Sequence, residues 1–496
     1  MGNELTPLTT DEVRHVLRRT GFGAPPNELS KLLGAVGGNP TRGSVADVLL
    51  SFQEKGFRPN GNEFEKAHNK WINYLIKPKS ALQEKLAIFF HDHFATSSSV
   101  VGNVRLMGGQ INTLHLYARG NFKNLVKAIN KDAAMMEMLD TVRNVKAVPN
   151  ENYGRELLEL FTLGVYDLAG NPNYLQEDIV QIARAFTGWD YFSNKGIPYL
   201  RDYEHDFMVE FPERGDKVIF QSTGGFGSGG MDITADGEGE NEIDTVIDII
   251  FEHTDTDGKN TVARRLAARL LEYFCHGGFG EPGPAEIAVI DQVIDESNFD
   301  TSWNLTPLLR AIFVNDAFFE TAGVAPYSAS TKKSVKWPID YFISTIRLTG
   351  IRLQKSERRV AGGNYLGAVG HLTNMGQILL EPPSVFGWNW ETAWISSATL
   401  LARFNFARDI VAARSVFNPA KLVDLDATDP GEIVDLVTDV LGIVDQVTPA
   451  EHQIFVDYLT DDGANPTIDL RDYEIRNTKL HGLFALVMQS PAYQLH

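Results

Sequence analysis

At 496 residues, with 43% hydrophobic and 22% charged residues, the chain has the composition of a globular protein able to bury a large core. Its 45 basic and 64 acidic residues leave a net charge of −19, which repels phosphate backbones and argues against nucleic acid as a partner. One cysteine, Cys275, excludes an intramolecular disulfide and a thiolate zinc site; no apolar run of about 18 residues predicts a membrane span, and no basic-then-apolar leader predicts a signal peptide.

In chain order, apolar residues at helical spacing predict helices over 11–19 and 44–53, followed by a loop over 55–62. Two more helices, 63–76 and 80–94, are separated by Lys77-Pro78-Lys79. The second carries Leu82, Leu86, Phe89 and Phe90 as a stripe and runs into Phe90-His91-Asp92-His93-Phe94. Helices over 108–120 and 121–139 lead through a linker, 140–149, to the most informative stretch. Residues 149–164 read as a helix with Pro149-Asn150 as turn and N-cap and Gly164 as stop. Asn152, Arg155, Glu156 and Glu159 fall within an arc of about 100° on it, while Tyr153, Leu157, Leu158, Leu160 and Phe161 fill the rest.

A helix over 175–187 ends at Gly188-Trp189. From 191 to 239 helical periodicity disappears, glycines cluster at 224–230, and 217–221 is strand-like. Helices are predicted again over 242–253, 261–274 (basic on one face through Arg264, Arg265 and Arg269), 284–296, 305–314 and 339–349. A loop over 362–367 and the proline-rich 382–390 segment precede a helix over 400–417, and three further helices lie in 420–496. The expected fold is mainly α, a large multi-helical body with long irregular connections. One division of the chain is a main helical domain, 1–418, interrupted by a β-hairpin-like insertion near 191–240, with a C-terminal helical subdomain, 419–496, packed on it.

Four groups of residues carry chemistry. His91 and His93 share a face if the backbone is extended and suit a divalent metal ion; on a helix they diverge by about 200° and become packed histidines near a helix terminus. In the 149–164 stripe, Glu156 and Glu159 are candidate acid and base or, equally, hard ligands for a divalent ion, Arg155 an orienting group that would hold a carboxylate or sulfate of the substrate, and Asn152 a substrate contact; a surface ion pair between Arg155 and Glu159 is the plainer alternative. His205-Asp206, in the irregular segment, suits a general base or a metal site. Trp189, Trp388 and Trp390 can stack on sugar rings or serve as helix wedges. The glycines at 224–230 lack the setting and lysine of a phosphate loop.

Several stretches in fixed order resemble the bacterial family named domain of unknown function 1800. They are Phe90-His91-Asp92-His93-Phe94-Ala95-Thr96-Ser97, the 149–164 helix, Ala185-Phe186-Thr187-Gly188-Trp189, His205-Asp206, Lys336-Trp337-Pro338, Met375-Gly376-Gln377, Pro382 through Trp388, Trp394-Ile395-Ser396 and Leu401 through Phe406. The closing Leu-x-x-Leu-x-x-x-Ser-Pro-x-Tyr-Gln at 483–494 belongs to the same resemblance. Asp92 departs from it, standing where the family pattern has Asn. The resemblance implies a helical, exported (periplasmic or secreted) protein, encoded near a sulfatase-like partner, with the 149–164 stripe as an interior polar feature. It implies no activity.

The leading expectation is an enzyme that cleaves an extracellular polymer, a polysaccharide or other anionic polymer, by acid/base or metal-assisted chemistry. The rivals are a non-catalytic envelope binding or scaffold protein, whose polar stripe is a structural network, and a metal-dependent redox protein.

Overall fold

Helices dominate the structure, a computed structural model that describes residues 3–59, 63–321, 334–353, 367–414 and 416–496. The helix Ala81–His93 lies at the centre, with every residue from Leu82 to His93 buried. Its N-terminus is capped by Ser80, whose hydroxyl accepts from the Gln83 N–H at 3.2 Å. Phe64–Ile76 and Val104–Leu116 pack around it, and Lys85 reaches Asp340 of Pro338–Thr349 at 2.8 Å.

The first helix, Thr10–Thr20, begins one residue early because Thr9 and Glu12 form a reciprocal capping box. Its last turns tie distant parts together. Arg14 meets Asp439 and Arg18 meets Asp445, each at 2.6 Å, while Arg19 donates to the carbonyls of Tyr273, Phe274 and Cys275 where Thr261–Phe274 ends.

The helix expected over 121–139 is two, Phe122–Asn130 and Ala133–Met138. Asp132 breaks it, because its carboxylate caps the second helix through the Met135 N–H at 3.0 Å. Pro26–Ala35 and Ala368–Met375 are helices that the pattern reading did not assign. The first starts with proline at its first position, where the missing N–H costs nothing. Most of the expected 362–367 loop lies outside the described residues.

The insertion carries the only strands among the described residues, two small antiparallel hairpins. Trp189–Phe192 pairs with Ile197–Leu200, and Val218–Ile219 with Met231–Asp232. In the C-terminal part, Pro430–Val440, Pro449–Thr460 and His481–Gln489 pack together, and His481–Gln489 also lies on Ser397–Ala412. The last residues bond into the body: Lys336 Nζ donates to the Tyr493 carbonyl at 2.8 Å, and the His496 imidazole lies 3.2 Å from Asp340. Among the described residues no helix is long and apolar enough to cross a membrane.

Candidate functional site

The 149–164 stretch is helical but not uniformly α. Asn152–Glu156 is α-helix, and Leu157–Thr162 widens into π-helix, a form concentrated at functional sites. Its wide closure shows where the Leu163 and Gly164 N–H groups both reach back to the Leu158 carbonyl at 2.9 Å. The N-cap is Glu151 rather than Asn150, whose side chain accepts the Asn152 N–H at 3.0 Å from one residue further out, and Gly164 ends the helix at φ +81°.

The polar stripe faces partly outward. Asn152 is exposed and Arg155, Glu156 and Glu159 are half-buried, so the expectation of an interior feature is corrected. Arg155 is 39% exposed and already bracketed, 3.1 Å from Glu151 and 3.7 Å from Glu159. Glu159 also accepts the Tyr174 hydroxyl at 2.5 Å. Glu156 has no hydrogen bond or ion pair among the described residues. Its carboxyl is pushed above the usual range by burial and by Glu159, against the pull of Arg155.

His91 and His93 lie on the α-helix Ala81–His93 and turn to different surroundings. His91 packs between Trp71 and Trp388, at 5.6 and 5.2 Å between ring centroids, with neither ring nitrogen hydrogen-bonded among the described residues. His93 stacks on Phe89 and places Nε2 3.0 Å from the Phe161 carbonyl of the π-helix. Burial holds both imidazoles neutral, each pulled down to about 3. Among the described residues, no three His, Cys, Asp or Glu side chains are grouped as metal ligands.

His205 and Asp206 are fully buried in an ion-paired network. His205 lies 3.0 Å from Glu242, which also takes Lys217 at 2.7 Å, and Asp206 takes Arg184 at 3.2 Å and Arg214 at 2.6 Å. Thr187 accepts the Asp206 N–H at 2.8 Å, so the Ala185–Trp189 stretch and His205-Asp206 form one clasp that pins the insertion. No atom of this pair faces solvent.

The three tryptophans divide. Trp189 and Trp388 are buried, each with an indole N–H that has no acceptor among the described residues. Trp390 is half-buried and donates to Asp92 at 2.9 Å, with the Arg269 guanidinium 3.9 Å over its ring.

That contact marks a convergence which residue patterns did not reveal. Asp92 accepts the Trp388 N–H at 2.6 Å and the Trp390 indole, and lies 3.5 Å from Arg269. Burial raises its carboxyl to about 7 despite these partners. Arg269 also pairs with Glu272 at 2.9 Å. One turn earlier, Arg265 lies against Gly164, where an added Cβ would stand 3.5 Å from its guanidinium. The end of the π-helix and this arginine face border a cleft of about 120 Å³, lined also by Tyr166, Asp167 and Phe279. Thus Asp92, Trp390 and the end of the 149–164 helix, from three separate sequence stretches, meet around Arg265 and Arg269. The basic face of the 261–274 helix was the available signal; its neighbours were not readable from spacing.

A family model described as Protein of unknown function (DUF1800) matches residues 15–495. No curated protein and no solved structure matches the chain.

Proposed function

The chain belongs to the DUF1800 family, and we propose that it is an enzyme, a hydrolase or lyase that cleaves an extracellular polysaccharide with Glu156 as acid/base. The observation that carries this reading is the state of Glu156. It is half-buried, raised in pKa and without a hydrogen bond or ion pair among the described residues, on a helix widened into π form one residue later. A carboxyl raised above its usual range keeps its proton to higher pH than an ordinary one and can give it up to a leaving group. Glu159, fixed by Tyr174, is the second carboxylate, and exposed Asn152 is a substrate contact. In this reading His205, Asp206 and Trp388 hold the scaffold, and His91 and His93 pack its core. The family resemblance supports export to the periplasm or medium, beside a sulfatase-like partner, and hence an anionic polymer as substrate.

A second reading, a non-catalytic binding protein, is favoured by one observation: Arg155 is already neutralised by Glu151 and Glu159, so the stripe also makes sense as a surface ion network. The test is a panel of neutral and acidic polysaccharides, scored for new reducing ends and for unsaturated products. Glu156→Gln should lower turnover by about 100-fold or more, with unsaturated product identifying a lyase. Parent-like turnover in Glu156→Gln would remove the acid/base assignment, and binding without turnover by the parent would favour the second reading.

A further inference from the structure

Three arginines of the Thr261–Phe274 helix line the cleft beside the π-helix, and their charges are not equally balanced. Arg264 is met by Asp255, Asp257 and Asp291 at 2.9, 2.8 and 2.7 Å. Arg269 has Glu272 and Asp92. Arg265 has neither a hydrogen bond nor an ion pair among the described residues, and its Nε is sealed from solvent without an acceptor. The acids nearby are engaged: Glu272 pairs with Arg269, and the Asp167 carboxylate holds Asn171 and Thr256.

A cation held this way works against the fold. Burial and the neighbouring Arg269 lower its pKa to about 10 against the weaker pull of Glu272, so it stays charged at neutral pH with no ion pair among the described residues. Partly buried charge without a partner costs free energy. Arg265 also lies flat on Gly164, which leaves its orientation set by the end of the π-helix. A residue that is costly, oriented and open to a cleft is one whose partner comes from outside.

We propose that Arg265, backed by Arg269, is the anchor of an oxyanion-binding site in the cleft between the π-helix end and the Thr261–Phe274 helix. Its ligand is a carboxylate or sulfate group, which a cleft of about 120 Å³ accommodates while the molecule that carries it extends outside. Guanidinium groups suit both oxyanions. The site rests on the cleft alone. A Glu156→Gln protein should bind the oxyanion as the parent does, so this site and the acid/base reading fail separately.

The experiment is calorimetric titration of the full chain with sodium galacturonate and with sodium sulfate, against galactose and sodium chloride at matched ionic strength. Galacturonate or sulfate should bind the parent, and the stronger of the two identifies the source of the oxyanion. Arg265→Leu should weaken that binding about tenfold or more, Arg265→Gln similarly, and Arg265→Lys less. Without ligand, Arg265→Leu should melt at or above the parent temperature, since it removes an unpaired charge. Heats no different from sodium chloride for both anions, parent-like binding in Arg265→Leu and Arg265→Gln, or a lowered melting temperature in Arg265→Leu, which would assign the residue to the fold, each overturns the proposal.

Discussion

Asp92 is 2% exposed, receives two N–H groups from the 388–390 segment and still holds a carboxyl raised from near 3.8 to about 7. Folding therefore takes up a proton at this position between about pH 4 and about pH 7. Stability falls as pH rises across that window, by about 1.4 kcal/mol per pH unit for one such group. It is highest below the unfolded value, where both states are protonated. Asp132, also held near 7, contributes a slope of the same sign. Asp92→Asn should remove the Asp92 share while leaving that of Asp132. Urea unfolding of parent and variant across this range should show a free-energy difference that changes with pH; a constant difference contradicts the assignment. At this scale the sequence was informative about residue type and poor about partners. Glu156 and Glu159 stand out by spacing alone. Arg265 does not, because its significance lies in contacts it fails to make, and those depend on segments a hundred residues away.

Most helices were legible because a helix that buries one face must repeat its apolar residues at 3.6 spacing. The failures have local causes. Asp132 in the 121–139 run prefers capping to continuing a helix, and the π turn at Leu157–Thr162 leaves no mark in periodicity over so few residues. The segment around Gly387 was correctly excluded from helix by its prolines, yet its role appears only in three dimensions. Gly387 sits at φ +81°, and an added Cβ would stand 2.6 Å from the Asp92 carbonyl oxygen and 2.4 Å from its carboxylate. Gly387→Ala should cost about 1–3 kcal/mol from the left-handed backbone alone, and more once the clash moves the loop. Urea unfolding gives the size of the loss. Altered fluorescence of the buried Trp388 in the folded variant would locate it; unchanged stability would contradict the close approach.

Across the whole molecule, buried ion pairs join segments distant in sequence. Lys85 and Asp340 are each 3% exposed, and His496 completes the group. Burial raises the Asp340 carboxyl, but Lys85 and His496 outweigh it and hold it at about 2. This contribution is complete above the unfolded value near 3.8 and is lost as pH falls through about 2. Asp340→Asn leaves the Lys85 ammonium buried without its counter-charge and should cost about 3–5 kcal/mol at neutral pH. A variant as stable as the parent in urea would show that the pair is not needed. The mainly helical architecture with its small hairpins was legible as a whole, because it follows from many periodic segments taken together. The convergence on the cleft was not, because it is set by how the helices cross.

The clasp between Asp92 and Trp388 spans 296 residues, and that between Lys85 and Asp340 spans 255. A growing chain thus makes its central helix long before it makes the groups that seal it. Until residue 390 has left the ribosome, Phe89 and His91 lack the Trp390 and Trp388 rings that pack on them. Contacts of such range slow folding and prolong exposure to aggregation. Nascent chains stopped before residue 340 should therefore be held by chaperones, while those extended past the last helices should release and resist protease together.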